Sequence, residues 1–269
     1  MFKRSVNITR IKKNQKTDER DTVLIESPID LIVNSEPLVN IICLPSDLKE
    51  LALGFLFSIG IVNSVEDINE IKVNELSNKI DVILQSSIDF KVENLNLNPV
   101  SRVVDTTCGI SSPWRDLIKE ALDKSKEAIK TRENLKVKSE LIFSSIKEMQ
   151  KHTILYRETG GCHGAAIFNI DGKLLGCKED IGRHNAIDKV IGELLLKKQD
   201  FNDTILSSTG RLTGDSVLKA IRAKIPIVAS LSAAVESGIR LAFAYGITLI
   251  GFVRGSRMNI YTHSNRIEL

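Results

Sequence analysis

Apolar residues recur along this chain at two periods, and the change of period divides it. Leu48, Leu51, Ala52, Phe55, Leu56 and Ile59 follow the i, i+3, i+4, i+7 spacing of one helix face, closed by Gly60. Asp47 and Glu50 stand where a capping box would start that helix. Ile80, Val82 and Leu84 alternate instead, as a half-buried strand does. Shorter strand candidates fall at 22–25, 31–33, 38–42 and 70–73, interrupted by Pro28 and Pro37. Residues 1–21 are polar and predict a loose arm or an edge strand. Strands around one buried helix make residues 1 to about 100 a small α+β unit.

The second half alternates strand and helix. Strands are predicted at 204–208, 225–231 and 248–253, with a further one at 258–262, and helices between them carry Val217, Leu218, Ile221, Leu241 and Phe243. This alternation predicts a three-layer α/β domain with a mostly parallel sheet. Ligands gather at the carboxyl ends of such strands. Here those ends carry Ser208-Thr209-Gly210-Arg211, the run from Ser230 through Ser232 to Ala234, and Arg254-Gly255-Ser256-Arg257. Small residues expose amide donors and arginines fork onto phosphates, so this edge reads as a cleft for a phosphorylated ligand. Taken one at a time, the same residues read equally well as ordinary turns with solvated arginines.

Between the halves, Ser101 to Trp114 forms a small, polar segment around Cys108-Gly109, and Ser112-Pro113 starts a helix running to about Lys130. Cys108 lacks the apolar neighbours of a buried structural cysteine, which favours a reactive thiol over an inert loop residue. Cys43, between Ile42 and Leu44, reads as a core thiol. A lysine-rich connector covers roughly 123–140. Next comes the densest stretch, 159–192. Gly160-Gly161 precedes Cys162-His163, Asp171-Gly172 turns a hairpin, and Glu179-Asp180-Ile181-Gly182-Arg183-His184-Asn185 leads into a helix with Ile187, Val190, Ile191 and Leu194. Glu179 and Asp180 could simply complement that helix's dipole. Jointly, two thiols, two imidazoles, two carboxylates and an arginine point to a functional site.

Composition narrows the classes. The 269 residues are 42% hydrophobic and 26% charged, and 37 basic against 34 acidic residues leave a net charge of +3. No basic block with interleaved aromatics suggests a nucleic acid partner. No run approaches the roughly 18 apolar residues of a membrane span, and the N-terminus lacks a signal-peptide core. The 4 cysteines show no disulfide framework, so the expected compartment is the cytoplasm.

The stretch TGGCHGAAIFNIDGKLLGCKEDIGRHNAIDKVIG resembles the signature of the FdhD family, the formate dehydrogenase accessory sulfurtransferases. LPSDLKELALGFLFSIGIV and GITLIGFVRGSRMNIYT resemble two further blocks of it, so the likeness spans the chain. The resemblance implies a cytidine-deaminase-like α/β domain at 113–269, a smaller α+β domain at 1–112 ending in the Cys108 loop, and a homodimer. It implies a sulfurtransferase that takes persulfide sulfur from a cysteine desulfurase onto Cys108. It implies delivery of that sulfur to the molybdenum or tungsten bis(molybdopterin guanine dinucleotide) of the formate dehydrogenase catalytic subunit. Phe252, Val253, Arg254, Gly255, Ser256 and Arg257 match the cofactor-binding segment, and a guanine nucleotide is expected to mimic the cofactor.

We add Arg211, Gly210, Ser232, His184 and Asp180 as cleft residues that grip or orient the ligand. Two departures stand out. Ser111 occupies the place of a second loop cysteine, and a single thiolate suffices to hold a persulfide. Ser232 to Ser237 and Leu212 to Asp215 also vary the family's pattern at the proposed cleft. Two alternatives remain. A non-catalytic chaperone would bind the cofactor without carrying sulfur. A zinc hydrolase of deaminase type would use Cys162, His163, Cys177 and His184, but it lacks the His-x-Glu and Pro-Cys-x-x-Cys pattern, so no metal site is expected.

Overall fold

The computed structural model describes residues 2–95, 103–104, 114, 118–120 and 135–269. Its first element is a two-stranded antiparallel ribbon, β1 (Lys3–Lys12) with β2 (Gln15–Leu24), joined to neither larger sheet. The polar opening predicted as an arm or edge strand is thus a hairpin. A five-stranded sheet follows, ordered β5-β6-β3-β4-β7. Its strands are β3 (Ser27–Val33), β4 (Glu36–Cys43), β5 (Ile68–Asn74), β6 (Lys79–Leu84) and β7 (Val103–Val104).

Helix α1 (Leu48–Ser58) crosses between β4 and β5. The predicted capping box does not form: Asp47 has a left-handed backbone (φ 51°) and caps nothing with its side chain. Its carboxylate lies 2.5 Å from Lys178 Nζ, with Glu50 at 3.4 Å from the same nitrogen. A cation across the interface outcompetes the local amides.

The second half begins with β8 (Val137–Lys138), α2 (Ser139–His152) and the short α3 (Ile154–Thr159). Then come β9 (His163–Asn169), β10 (Leu174–Asp180), α4 (Arg183–Leu196), β11 (Thr204–Ser208), α5 (Gly214–Arg222), β12 (Ile227–Ser230) and α6 (Glu236–Ala244). The chain closes with β13 (Thr248–Arg254), β14 (Arg257–Ile260) and β15 (Ile267–Glu268).

The six-stranded sheet runs β10-β9-β11-β12-β13-β14. It is mixed rather than mostly parallel: β11-β12 and β12-β13 are parallel, the other neighbours antiparallel. Parallel neighbours need a crossover of a dozen or so residues. Helices α5 and α6 supply it, whereas the tight turns at Asp171-Gly172 and Gly255-Ser256 reverse the chain.

Alternating side chains send Ala166, Phe168, Ile205, Ala229 and Ile250 to the face covered by α2 through Ile142, Ile146 and Met149. Ala165, Ile167, Leu206, Val228 and Leu249 join the opposite cluster with α4, α5 and α1. That second cluster runs unbroken into the five-stranded sheet, through Leu51, Phe55, Ile41 and Val82. The expected boundary at 112–113 lies outside the described residues.

The join between the halves is the crossing of α1 and α4. A Cβ on Gly54 would lie 1.8 Å from the Asp188 carbonyl oxygen, and one on Gly192 would lie 1.9 Å from that of Glu50. Backbone meets backbone there, so no side chain can yield. Gly192→Ala is expected to cost about 3 kcal/mol, the upper end for overpacking. Urea unfolding measures it, and an unchanged midpoint would contradict the crossing.

Candidate functional site

The carboxyl edge of the six-stranded sheet is assembled from loops that bond to one another. Ser208 Oγ accepts from the Gly210 amide (3.0 Å). Ser230 Oγ donates to the Gly210 carbonyl (2.6 Å) and accepts from the Ser232 amide (3.0 Å). The Phe252 amide reaches the Ser232 carbonyl (2.9 Å), and Arg254 Nε donates to the Leu231 carbonyl (3.0 Å). Short serine side chains thus stand in for ladder bonds where the strands end. Gly210, Arg211, Ser232 and the 252–257 segment are brought onto one edge.

Antiparallel β9 starts at the same edge. His163 Nδ1 lies 3.1 Å from Thr209 Oγ1, which also accepts from the Gly164 amide (3.0 Å). Burial holds the His163 imidazole below its ordinary pKa, helped by Arg183 and Arg211 against Asp180. Arg183 and His184 open α4, both more than nine-tenths buried. Arg183 lies along Gly210, where a Cβ would come within 2.7 Å of its Cβ. A cavity of about 400 Å³ beside Arg183 is lined by Lys119, Thr213, Gly214, Ser237 and Arg240.

Asp180 is fully buried and holds the corner rather than facing a ligand. Its carboxylate accepts from the amides of Leu44 (3.1 Å) and Gly182 (2.8 Å) and from Asn185 Nδ2 (3.0 Å). Lys189 Nζ sits 2.7 Å away and donates to the Leu44 carbonyl (3.0 Å). Glu179 takes the other route: it accepts from the Leu155 and Tyr156 amides (3.0 and 2.7 Å), satisfying the first turn of α3.

The 252–257 segment carries the backbone strain of the edge. Phe252 adopts φ 52°, and the β13–β14 register shifts between Gly251 and Arg254. Such a bulge re-aims the following side chain. The Arg254 guanidinium lies 5.9 Å from the Phe252 ring centroid. Gly255 (φ 59°) occupies the first central position of the two-residue turn, and Arg254 faces Arg257 across it. Like charges directly opposite destabilise a hairpin.

Val253 is buried beneath, and with Arg254, Gly255 and Ser256 it lines a cleft of about 810 Å³. The far wall is α2 and α3: Phe143, Lys147, Gln150 and Tyr156. Sequence reading missed these four, because it assigned no element between the connector at 123–140 and the stretch beginning at 159.

The thiols divide plainly. Burial pushes Cys43 up to about 12, with Asp180 nearby. Burial and Glu179 do the same to Cys162 and Cys177, each about 12. Cys162 Sγ stands 3.6 Å from Glu179 Oε1. Cys108 and Ser111 lie outside the described residues. No group of three or more His, Cys, Asp or Glu side chains able to hold a metal occurs among the described residues. No helix among them is long and apolar enough to cross a membrane.

The sequence profile of the FdhD/NarQ family matches residues 24–268. The chain belongs to that family. A protein of Saccharolobus solfataricus named sulfur carrier protein FdhD is 37% identical, covering 97% of this chain and 96% of its own. The FdhD sulfur carrier of Bacillus pumilus is 34% identical, over 97% and 95%. Among solved structures, a crystal structure from Desulfotalea psychrophila, described as a candidate formate dehydrogenase accessory protein, superposes with a TM-score of 0.76. It is 27% identical, over 100% of both chains. The matched residues include the Gly210 edge, the α4 corner and the Arg254 turn described above.

Two outcomes are expected. At pH 7.5 iodoacetamide should leave Cys43, Cys162 and Cys177 unmodified in the folded chain, since thiols near 12 hold almost no thiolate there; peptide mapping that finds any of them alkylated as fast as free cysteine contradicts the geometry. Lys189→Met should cost about 3–5 kcal/mol in chemical unfolding by stranding the Asp180 carboxylate. The double variant with Asp180→Leu should recover part of that loss.

Proposed function

We propose that this chain is a sulfur carrier that serves formate dehydrogenase by delivering persulfide sulfur to its molybdenum or tungsten bis(molybdopterin guanine dinucleotide). The observation that carries the reading is the chemistry of the thiols, taken with the relatives' naming as sulfur carriers. Three of four cysteines are held protonated inside the fold. Cys108 is the one left to act as nucleophile, in the segment whose family counterpart carries the persulfide.

In loading, the Cys108 thiolate attacks the outer sulfur of a persulfide on a cysteine desulfurase. The donor's S–S bond breaks, a new S–S bond forms on Cys108, and the donor departs as thiolate, with no net oxidation. Ser111 leaves no second thiol to resolve that persulfide into a disulfide, so the sulfur waits for its acceptor.

The metal cofactor is the substrate of the second step. Its diphosphates are anionic and its guanines flat. Arg254 and Arg257 face each other across the turn as phosphate partners, and Lys147 brings a third cation from α2. Phe143 and Tyr156 offer faces for the base. Gly210, Arg211 and Ser232 line the adjoining strand ends. His184 orients the ligand at the start of α4, and Asp180 positions that start. His163, neutral near pH 7, adds no charge beside the arginines.

The finer fold follows the same reading: a cytidine-deaminase-like layering of 113–269 beside a smaller domain of 1–112, in a cytoplasmic homodimer.

Cys108→Ala should bind GDP as the wild type does in calorimetry yet fail to activate apo formate dehydrogenase. Arg254→Ala with Lys147→Ala should weaken GDP binding about tenfold or more. Activation that survives Cys108→Ala would replace the carrier with a chaperone that only presents the cofactor.

A further inference from the structure

The β1–β2 ribbon takes no part in either step. It pairs over ten registers, from Lys3↔Leu24 to Lys12↔Gln15. At the usual rise per residue it reaches about 30 Å. A two-stranded ribbon without a third strand is marginal in water. Its turn has a defined geometry: Lys13 (φ 46°) and Asn14 (φ 65°) have the paired left-handed backbones of a type I′ turn.

Charge is distributed unevenly along it. On the shaft, Arg10 pairs with Glu19 and lies 3.6 Å from Asp21, Thr9 bonds Asp18 at 2.7 Å, and Lys3 pairs with Glu158 of α3. At the tip, Lys12, Lys13 and Lys16 are exposed and enter no ion pair among the described residues. Between them Ile11 is 64% exposed, opposite Lys16 in the register. Ile11 shares one face of the ribbon with Lys16 while Lys12 points to the other, so an exposed isoleucine sits among tip lysines and packs into neither core cluster.

The base of the ribbon stands at the rim of the functional corner. Asp21 to Leu24 share a small cavity with Thr159, Gly161 and Ile181. Gly161 lies two residues before His163, and Ile181 two before Arg183. The ribbon is thus rooted beside the site, and its tip lies a full ladder of ten pairs away from that root.

We propose that the β1–β2 ribbon is a docking arm whose basic tip seats on an acidic patch of the formate dehydrogenase subunit, with Ile11 as its apolar anchor. This rests on the reading that the chain serves that enzyme. The tip suits a protein better than other polyanions. Three lysines fall short of the four to eight that hold an anionic membrane, and Asp18, Glu19 and Asp21 follow close behind them. No aromatic side chain on the ribbon stacks a nucleobase.

The test uses the full chain and purified apo formate dehydrogenase subunit in biolayer interferometry at two salt concentrations. The triple variant Lys12→Ser, Lys13→Ser, Lys16→Ser should raise Kd about tenfold, mostly through slower association, and flatten the salt dependence. Ile11→Ser alone should speed dissociation. GDP binding and sulfur loading from the desulfurase should not change in either variant. Unchanged dehydrogenase affinity in the variants overturns the arm alone. A wild-type chain that never binds the subunit overturns both the arm and the accessory reading. A variant that loses desulfurase loading or changes oligomeric state in light scattering overturns the assignment of the partner. So does wild-type binding to phosphatidylserine vesicles that the variant lacks.

Discussion

The close crossing of α1 and α4 is the constraint from which the functional edge follows. Gly54 and Gly192 let two helix backbones touch, which fixes how the five-stranded sheet sits against the larger one. Helix α4 then runs from that contact to the corner where Arg183 and His184 begin. Two buried ion pairs lock its rotation. Lys189 reaches Asp180 and the Leu44 carbonyl, and Asp188 takes Lys219 of α5 at 2.7 Å together with the Ser58 hydroxyl of α1 at 2.6 Å. Burying such pairs returns little net stability, but each one penalises any register that leaves an ion alone. What they secure is orientation.

That orientation has a use at the edge. The strand-end loops are stitched by serine hydroxyls and threonine, while Arg211, Arg254 and Arg257 beside them are exposed. The left-handed Phe252 and the opposed Arg254 and Arg257 are both unfavourable for the isolated chain. Strain of this kind persists only where surrounding structure over-determines it, and it concentrates at ligand clamps. The thiol chemistry is arranged in the reverse sense. The described cysteines, Cys43, Cys162 and Cys177, are silenced by burial and by nearby carboxylates.

Much of this was legible in the chain. The strand at 204–208, the apolar face from Ile187 to Leu194 and the Asp171-Gly172 hairpin rest on local periodicity and turn chemistry, and the structure reproduces them. Sheet direction was not legible, because alternation looks the same in either sense. Helix α2 was given no element: Lys147, Glu148 and Lys151 hide the spacing of Ile142, Ile146 and Met149. Asp47 followed a local capping rule and lost to a lysine 131 residues away. Likewise Asp180 was singled out, but its partners at Leu44 and Lys189 are set by packing, not spacing. The arginine-bearing edge could be read from the strand ends; its opposite wall, Lys147 and Tyr156, could not.

The most direct measurement is the intact mass of the chain after incubation with a cysteine desulfurase and free cysteine, followed by peptide mapping without reductant. The account predicts one added sulfur atom, carried by the Cys108 peptide and discharged by thiol reductant. No mass gain, or added sulfur on Cys43, Cys162 or Cys177 instead, would contradict it.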